Sequence, residues 1–127
     1  MSHAAVRQYQ DASMSAVVAD LPPARLTGML FEGALARLAA ARGAIERGDL
    51  AAKLPAVSGA LAIIEHLRAC LDHQAGGALA RQLDALYDYA LRRLVHANAG
   101  NDAAALDEVI AVLRPLREAW DAIGARA

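Results

Sequence analysis

The stretch from Asp49 to Asp72 reads DLAAKLPAVSGALAIIEHLRACLD, and its spacing decides the fold class. Leu50, Leu54, Val57, Leu61, Ile64 and Leu71 recur at steps of three, four and seven, which is the repeat of one helical face. A strand would instead alternate at every second residue. Ala56, Ala60, Ile63, Leu67 and Cys70 form a second stripe beside the first. The apolar arc is therefore wide, and it needs two neighbouring surfaces, or one neighbour and a visiting ligand. Asp49 is placed to cap this helix, which is expected to run to about Asp72. Pro55 falls at about the sixth helical position, so the regular helix is expected either to start after it or to kink in its first turn. Cys70, inside an apolar stripe, reads as a small core residue.

The same punctuation repeats outward. Upstream, Leu26, Leu30, Ala34, Leu38, Ala41 and Ile45 mark a helix that Asp20 can cap, that Pro22 and Pro23 can open, and that Gly48 ends. Downstream, Gly76-Gly77 make a break. A third helix then carries Leu79, Leu83, Leu86, Ala90, Leu94 and Ala97, with Tyr87 and Leu91 beside them. Asn98 to Asp102 is a turn rich in capping residues. A fourth helix follows with Leu106, Val109, Ile110, Leu113, Leu116, Trp120 and Ile123, and Pro115 is expected to kink it. Helices of this length joined by short turns are antiparallel neighbours. The expectation is an all-α chain: an antiparallel four-helix bundle over residues 20–127, preceded by an N-terminal arm over residues 1–19 that lacks a helical stripe.

Composition agrees. Of 127 residues, 33 are Ala and 18 are Leu, while Val and Ile together are 12. Helix formers dominate and β-branched residues are scarce. The net charge of −1 lacks the basic excess of a nucleic-acid binder. The longest run without a charged residue is Leu54 to Ile64, 11 residues, against the roughly 20 of a membrane span. The opening residues contain no apolar core of a secretory signal. One cysteine excludes an intrachain disulfide and fits a reducing cytoplasm.

No catalytic constellation emerges. A di-iron bundle needs Glu-x-x-His pairs, and none of Glu32, Glu46, Glu65, Glu108 or Glu118 is followed by a histidine at that spacing. His66 and His73, seven apart, are a weak pair, and His73 is expected to serve the negative pole of the second helix. Phosphate loops, dinucleotide fingerprints and nucleophile elbows are missing. No cofactor, metal or enzymatic activity is expected. Arg81, Arg92 and Arg93 make a small basic group, with Asp84 and Asp88 placed to pair with Arg92. Tyr87 and Tyr89 point about 200° apart, so only one can face the core. Trp120 is expected in the bundle. Tyr9, in the arm, is either a staple onto the bundle or an anchor for a partner.

The residues in sequence carry a resemblance. Met29-Leu-Phe-Glu-Gly33, Ala44-Ile-Glu-Arg-Gly-Asp49, Ala60-Leu-Ala-Ile-Ile64 and Leu71-Asp-His-Gln-Ala-Gly-Gly77 are followed by Leu83-Asp-Ala-Leu-Tyr-Asp-Tyr89, Arg92-Arg-Leu94, Ala97-Asn98 and Ala119-Trp120. In this order and spacing, across roughly residues 7 to 124, the chain resembles the FliS family of flagellar secretion chaperones. The resemblance implies an ATP-independent cytoplasmic chaperone that holds the disordered C-terminal region of flagellin, blocks premature polymerisation and assists delivery to the flagellar type III export apparatus. It also implies that the arm can lie over part of the flagellin groove and that Tyr9 docks to the export-gate component. Monomer and homodimer both remain open. From the double stripe and the family motif, Ile63, Leu67 and Leu71 of the second helix and Leu86, Tyr87 and Leu94 of the third are the expected flagellin contacts; for each, a purely core role remains open. A helical adaptor for another secreted or regulatory protein is the alternative.

Overall fold

The computed structural model describes residues 23–126, with side chains from 25 to 122. It contains four helices: α1 (Pro23–Arg47), α2 (Leu50–Ala69), α3 (His73–Gly100) and α4 (Ala103–Arg126), with no strand among the described residues. The expected arm and Tyr9 lie outside the described residues.

Each link is closed by local chemistry. Gly48 takes a left-handed φ of 71°, its N–H donates to Ile45 O and the Asp49 N–H donates to Ala44 O. These are the two bonds of a Schellman stop. Asp49 then accepts from Ala52 N and caps α2, so consecutive residues end one helix and start the next. Asn101 is likewise left-handed with φ 50°, its N–H and that of Asp102 both donate to Ala97 O, and Asp102 accepts from Ala105 N to cap α4. Asp72 accepts from Gln74 N and Ala75 N to cap α3. For that reason α2 stops at Ala69 rather than Asp72, and His73 opens α3 rather than closing α2. The break expected at Gly76-Gly77 is present inside α3, where Gly77 (φ 51°, ψ −123°) leaves helical geometry and sets off one short turn from the long helix.

The inward face of α2 differs from the expected first stripe. Lys53, Val57, Ala60, Ile64 and Leu67 are buried, while Leu50 and Leu54 are exposed. Lys53 is tolerated inside because its Nζ donates to Asn98 O (2.9 Å) and Asn101 Oδ1 (2.5 Å), at the negative pole of α3. Cys70 is exposed, contrary to the core role expected of it, because it lies past the last turn of α2. Pro55 does not delay α2, which already runs from Leu50, and α4 continues through Pro115 to Arg126. Both prolines are exposed, as are Ala51 and Ala111, whose carbonyls lose a helical partner to them. By length and composition α2 could cross a membrane. Its buried stripe instead packs within the bundle core.

The helices form a ring: α1 packs on α2 and α4, and α3 packs on the same two with less contact. Neighbours run antiparallel, since Lys53 at the start of α2 meets the end of α3, and Arg42 near the end of α1 meets Asp107 near the start of α4. Phe31, Leu38, Ile64, Leu94, Leu106, Val109 and Leu113 fill the centre. Ala34, Ala41, Ala60, Ala90, Ala97 and Ala105 between them are fully buried and let the axes approach closely.

Candidate functional site

At the end of the bundle formed by the α2–α3 link, the start of α1 and the last third of α4, the described residues do not close the core. A cleft of about 550 Å³ opens there. Leu26 and Leu30 of α1 form one wall, Leu67 and Leu71 another, and Leu79, Ala80 and Leu83 of α3 a third, with Tyr87 and Trp120 also bordering it. Its origin is local. The Gly77 break carries the first turn of α3 away from the long helix, and Leu79, just beyond it, is left 62% exposed. The polar rim comprises Thr27, His66, Cys70 and Asp72. Cys70 Sγ lies 3.5 Å from His66 Nε2, and the Asp72 carboxylate is occupied by its capping bonds.

The expected contact residues divide. Leu67, Leu71 and Tyr87 border the cleft. Tyr87 is nearly buried, and burial pushes its phenol up to about 12. Ile63 is partly buried and faces α1, where a Cβ at Gly33 would stand 3.4 Å from its Cδ1. Leu86 is exposed on α3 outside the cleft lining. Leu94 is wholly enclosed by the core and offers no surface. The sequence reading did not single out Leu26, Leu30, Leu79, Leu83 or Trp120 as site residues. One signal was available: Leu79 lies two residues past Gly77, where the chain leaves helical geometry.

Two shallower grooves flank the ring. One, of about 270 Å³ between α2 and α3, is lined by Leu61, Leu91 and Val95 with Glu65 and Arg92 at its edge. The other, of about 530 Å³ between α1 and α4, is lined by the charged Arg42, Glu46, Asp107 and Arg114 together with Ile110 and small residues.

Ion pairs cover the remaining seams. Arg68 binds Asp84 (2.7 Å) and Asp88 (3.3 Å), and Arg92 binds Asp88 at the expected spacing (3.0 Å). Asp84 is thus taken by α2 rather than by Arg92. Arg93 and the Tyr89 hydroxyl both donate to Glu108 Oε2, at 2.7 and 3.0 Å, which settles Tyr89 on the surface and Tyr87 inside. The hydrogen bond to Glu108 raises the Tyr89 phenol, and hydrogen bonds from Arg68 and Arg42 hold Asp84 and Asp107 below the ordinary carboxylate range. No group of three or more metal-ligating side chains occurs among the described residues.

Comparison with known proteins matches this bundle to a family. The family described as "Flagellar protein FliS" matches residues 4–127. The chain is 47% identical over 119 residues to the flagellar secretion chaperone FliSB of Pseudomonas aeruginosa, covering 94% of each chain. It is 42% identical over 123 residues to the flagellar secretion chaperone FliS of Salmonella typhimurium, covering 96% of this chain and 91% of that one. The Bacillus subtilis protein of the same name is 38% identical over 98 residues, 77% of this chain and 72% of that one. The relatives carry the name of a chaperone and not of an enzyme. An α-helical bundle with an open apolar end, matched along nearly its whole length by such relatives, belongs to the FliS family of flagellar secretion chaperones.

Proposed function

We propose that this chain is an ATP-independent cytoplasmic chaperone that binds the disordered C-terminal region of flagellin, keeps it from polymerising and assists its delivery to the flagellar export apparatus. The observation that carries the reading is the apolar cleft, in a chain whose relatives are named flagellar secretion chaperones. A holding chaperone needs apolar surface with room for a chain segment, and helix-in-groove binding provides the contact. Leu67, Leu71 and Tyr87 meet the client directly in this reading, joined by Leu26, Leu79 and Trp120. Ile63 and Leu86 extend the contact beyond the cleft, while Leu94 supports the floor from within the core. A disordered client that folds on binding can wrap a large surface at modest affinity per area. Occupancy follows mass action, so protection requires chaperone in excess of the dissociation constant.

The test is calorimetric titration of the full chain with the C-terminal segment of flagellin from the same cell. The expected result is a saturable one-to-one isotherm with a negative heat-capacity change, the mark of apolar burial. No binding at tens of micromolar by folded protein overturns the reading. Tyr9 is proposed, on the family resemblance, to dock to the export-gate component. Tyr9→Ala is expected to leave the fold and flagellin binding intact while weakening that docking, and unchanged docking would remove Tyr9 from the role.

A further inference from the structure

The cleft contains one polar group that the bundle leaves without a partner. Tyr87 is only 2% exposed and lies between Leu67, Leu83 and Trp120 at the cleft. Its ring meets Phe31, the centroids 6.3 Å apart. Its hydroxyl makes no hydrogen bond among the described residues. Nor is that oxygen sealed off: among the described residues, the fully enclosed side-chain N and O atoms that make no hydrogen bond are Asn98 Oδ1 and Arg117 Nε, the latter ion-paired with Asp121 at 3.3 Å. The Tyr87 oxygen therefore borders open space, and the cleft is the space that Tyr87 lines. Its neighbour Tyr89, two residues on, has spent its hydroxyl on Glu108.

An unpartnered hydroxyl is harmless while water reaches it and costly once an apolar occupant covers it. Of the polar groups on the rim, Asp72 Oδ1 accepts from Gln74 N and Ala75 N and His66 Nε2 lies against Cys70 Sγ, and neither is bonded to the Tyr87 hydroxyl. A site with a buried donor rejects an occupant that leaves that donor unpaired far more strongly than an apolar pocket rejects a change of shape.

We infer that Tyr87 is a specificity-determining residue of the client site, its hydroxyl donating to an acceptor oxygen of the bound segment. The acceptor is a backbone carbonyl not already bonded within a helix. Such carbonyls occur in the last turn of a helix and in extended chain. The cleft therefore selects a segment that ends or interrupts a helix at this point, rather than any continuous amphipathic helix. This rests on the reading of the cleft as the flagellin site.

The test compares the full chain with Tyr87→Phe, which removes the hydroxyl and keeps the buried ring. Both are titrated with the synthetic C-terminal segment of flagellin, and the free proteins are melted in parallel. The dissociation constant is expected to rise roughly three- to tenfold, the size of one lost neutral hydrogen bond. The melting temperature of the free variant is expected to stay level or rise, because no partner is lost in the free protein. Equal affinities overturn the inference and leave the flagellin reading standing. A lower melting temperature also overturns it, by giving the hydroxyl a structural bond in the free bundle. Absence of binding by the unsubstituted chain overturns both.

Discussion

The two ends of the bundle solve the same problem in opposite ways. Where α1 and α3 end and α2 and α4 begin, short-range polar bonds close the chain reversals. Gly48 and Asn101 close their helices in left-handed conformations, Asp49 and Asp102 cap the next ones, and the Lys53 ammonium bridges Asn98 and Asn101. At the other end, Asp72 supplies a cap, but Leu26, Leu71, Leu79 and Trp120 surround an open cleft. Apolar surface that could have completed a core is left available there. The difference teaches where stability and the proposed binding are separated in this molecule: polar closure fixes the ring at one end, and incomplete apolar closure leaves the other end for the client proposed above.

Substitutions at the two ends should break or sharpen that contrast. The largest effect belongs to the shared core: Leu94→Ala removes a fully buried side chain and should cost about 2–5 kcal/mol in urea denaturation. Its counterpart at the open end, Leu79→Ala, should stay within about 0.5 kcal/mol while weakening flagellin binding. Comparable losses from both would show that the cleft is closed in the folded protein. Next comes Lys53→Met, which leaves a carbonyl and an amide oxygen of the closed end without their donor. A loss of about 1–3 kcal/mol is expected, with client affinity per folded molecule unchanged.

The smallest effect is on acid stability. Hydrogen bonds from Arg68 and Arg42 hold the Asp84 and Asp107 carboxyls below the ordinary carboxylate range, so they take up protons less readily folded than unfolded. Their contribution is complete above the ordinary aspartate range near about pH 4 and is lost as the pH falls through the lowered values. Asp107→Asn should flatten that decline, measured as melting temperature from about pH 5 to 2. A decline equally steep in the variant would remove Arg42–Asp107 from the account.

Helix number, order and most caps were legible in the sequence because they are local. Asp49 and Asp102 announce themselves through side chains that bond to adjacent backbone, and Gly48 through its left-handed turn, although Asn98 to Gly100 of the expected turn continue α3. The phase of α2 was not legible. Two neighbouring apolar stripes satisfy the same period, and the buried face runs between them. It takes Val57 and Ile64 from the first, Ala60 and Leu67 from the second, and adds from neither Lys53, whose partners lie 45 and 48 residues away on α3 and its cap. Cys70 and Leu71 were assigned to α2 because no periodicity records that Asp72 caps the following helix instead of ending the preceding one. The contact set was legible in part for the same reason. Leu67, Leu71 and Tyr87 fall on the cleft, but spacing alone does not distinguish them from Leu94, which four helices enclose.

The α1–α4 seam has a consequence for how the chain is made. The short links bring α2, α3 and α4 each beside the helix before it, but α1 finds its second partner only at the far end of the sequence, as the Arg42–Asp107 pair across 65 residues shows. During synthesis, the face of α1 that packs on α4 must await it. At ribosomal speeds of roughly 5–20 residues per second, that wait lasts on the order of seconds. For this interval the nascent chaperone itself displays uncovered apolar helix, the kind of surface it is proposed to shelter in its client.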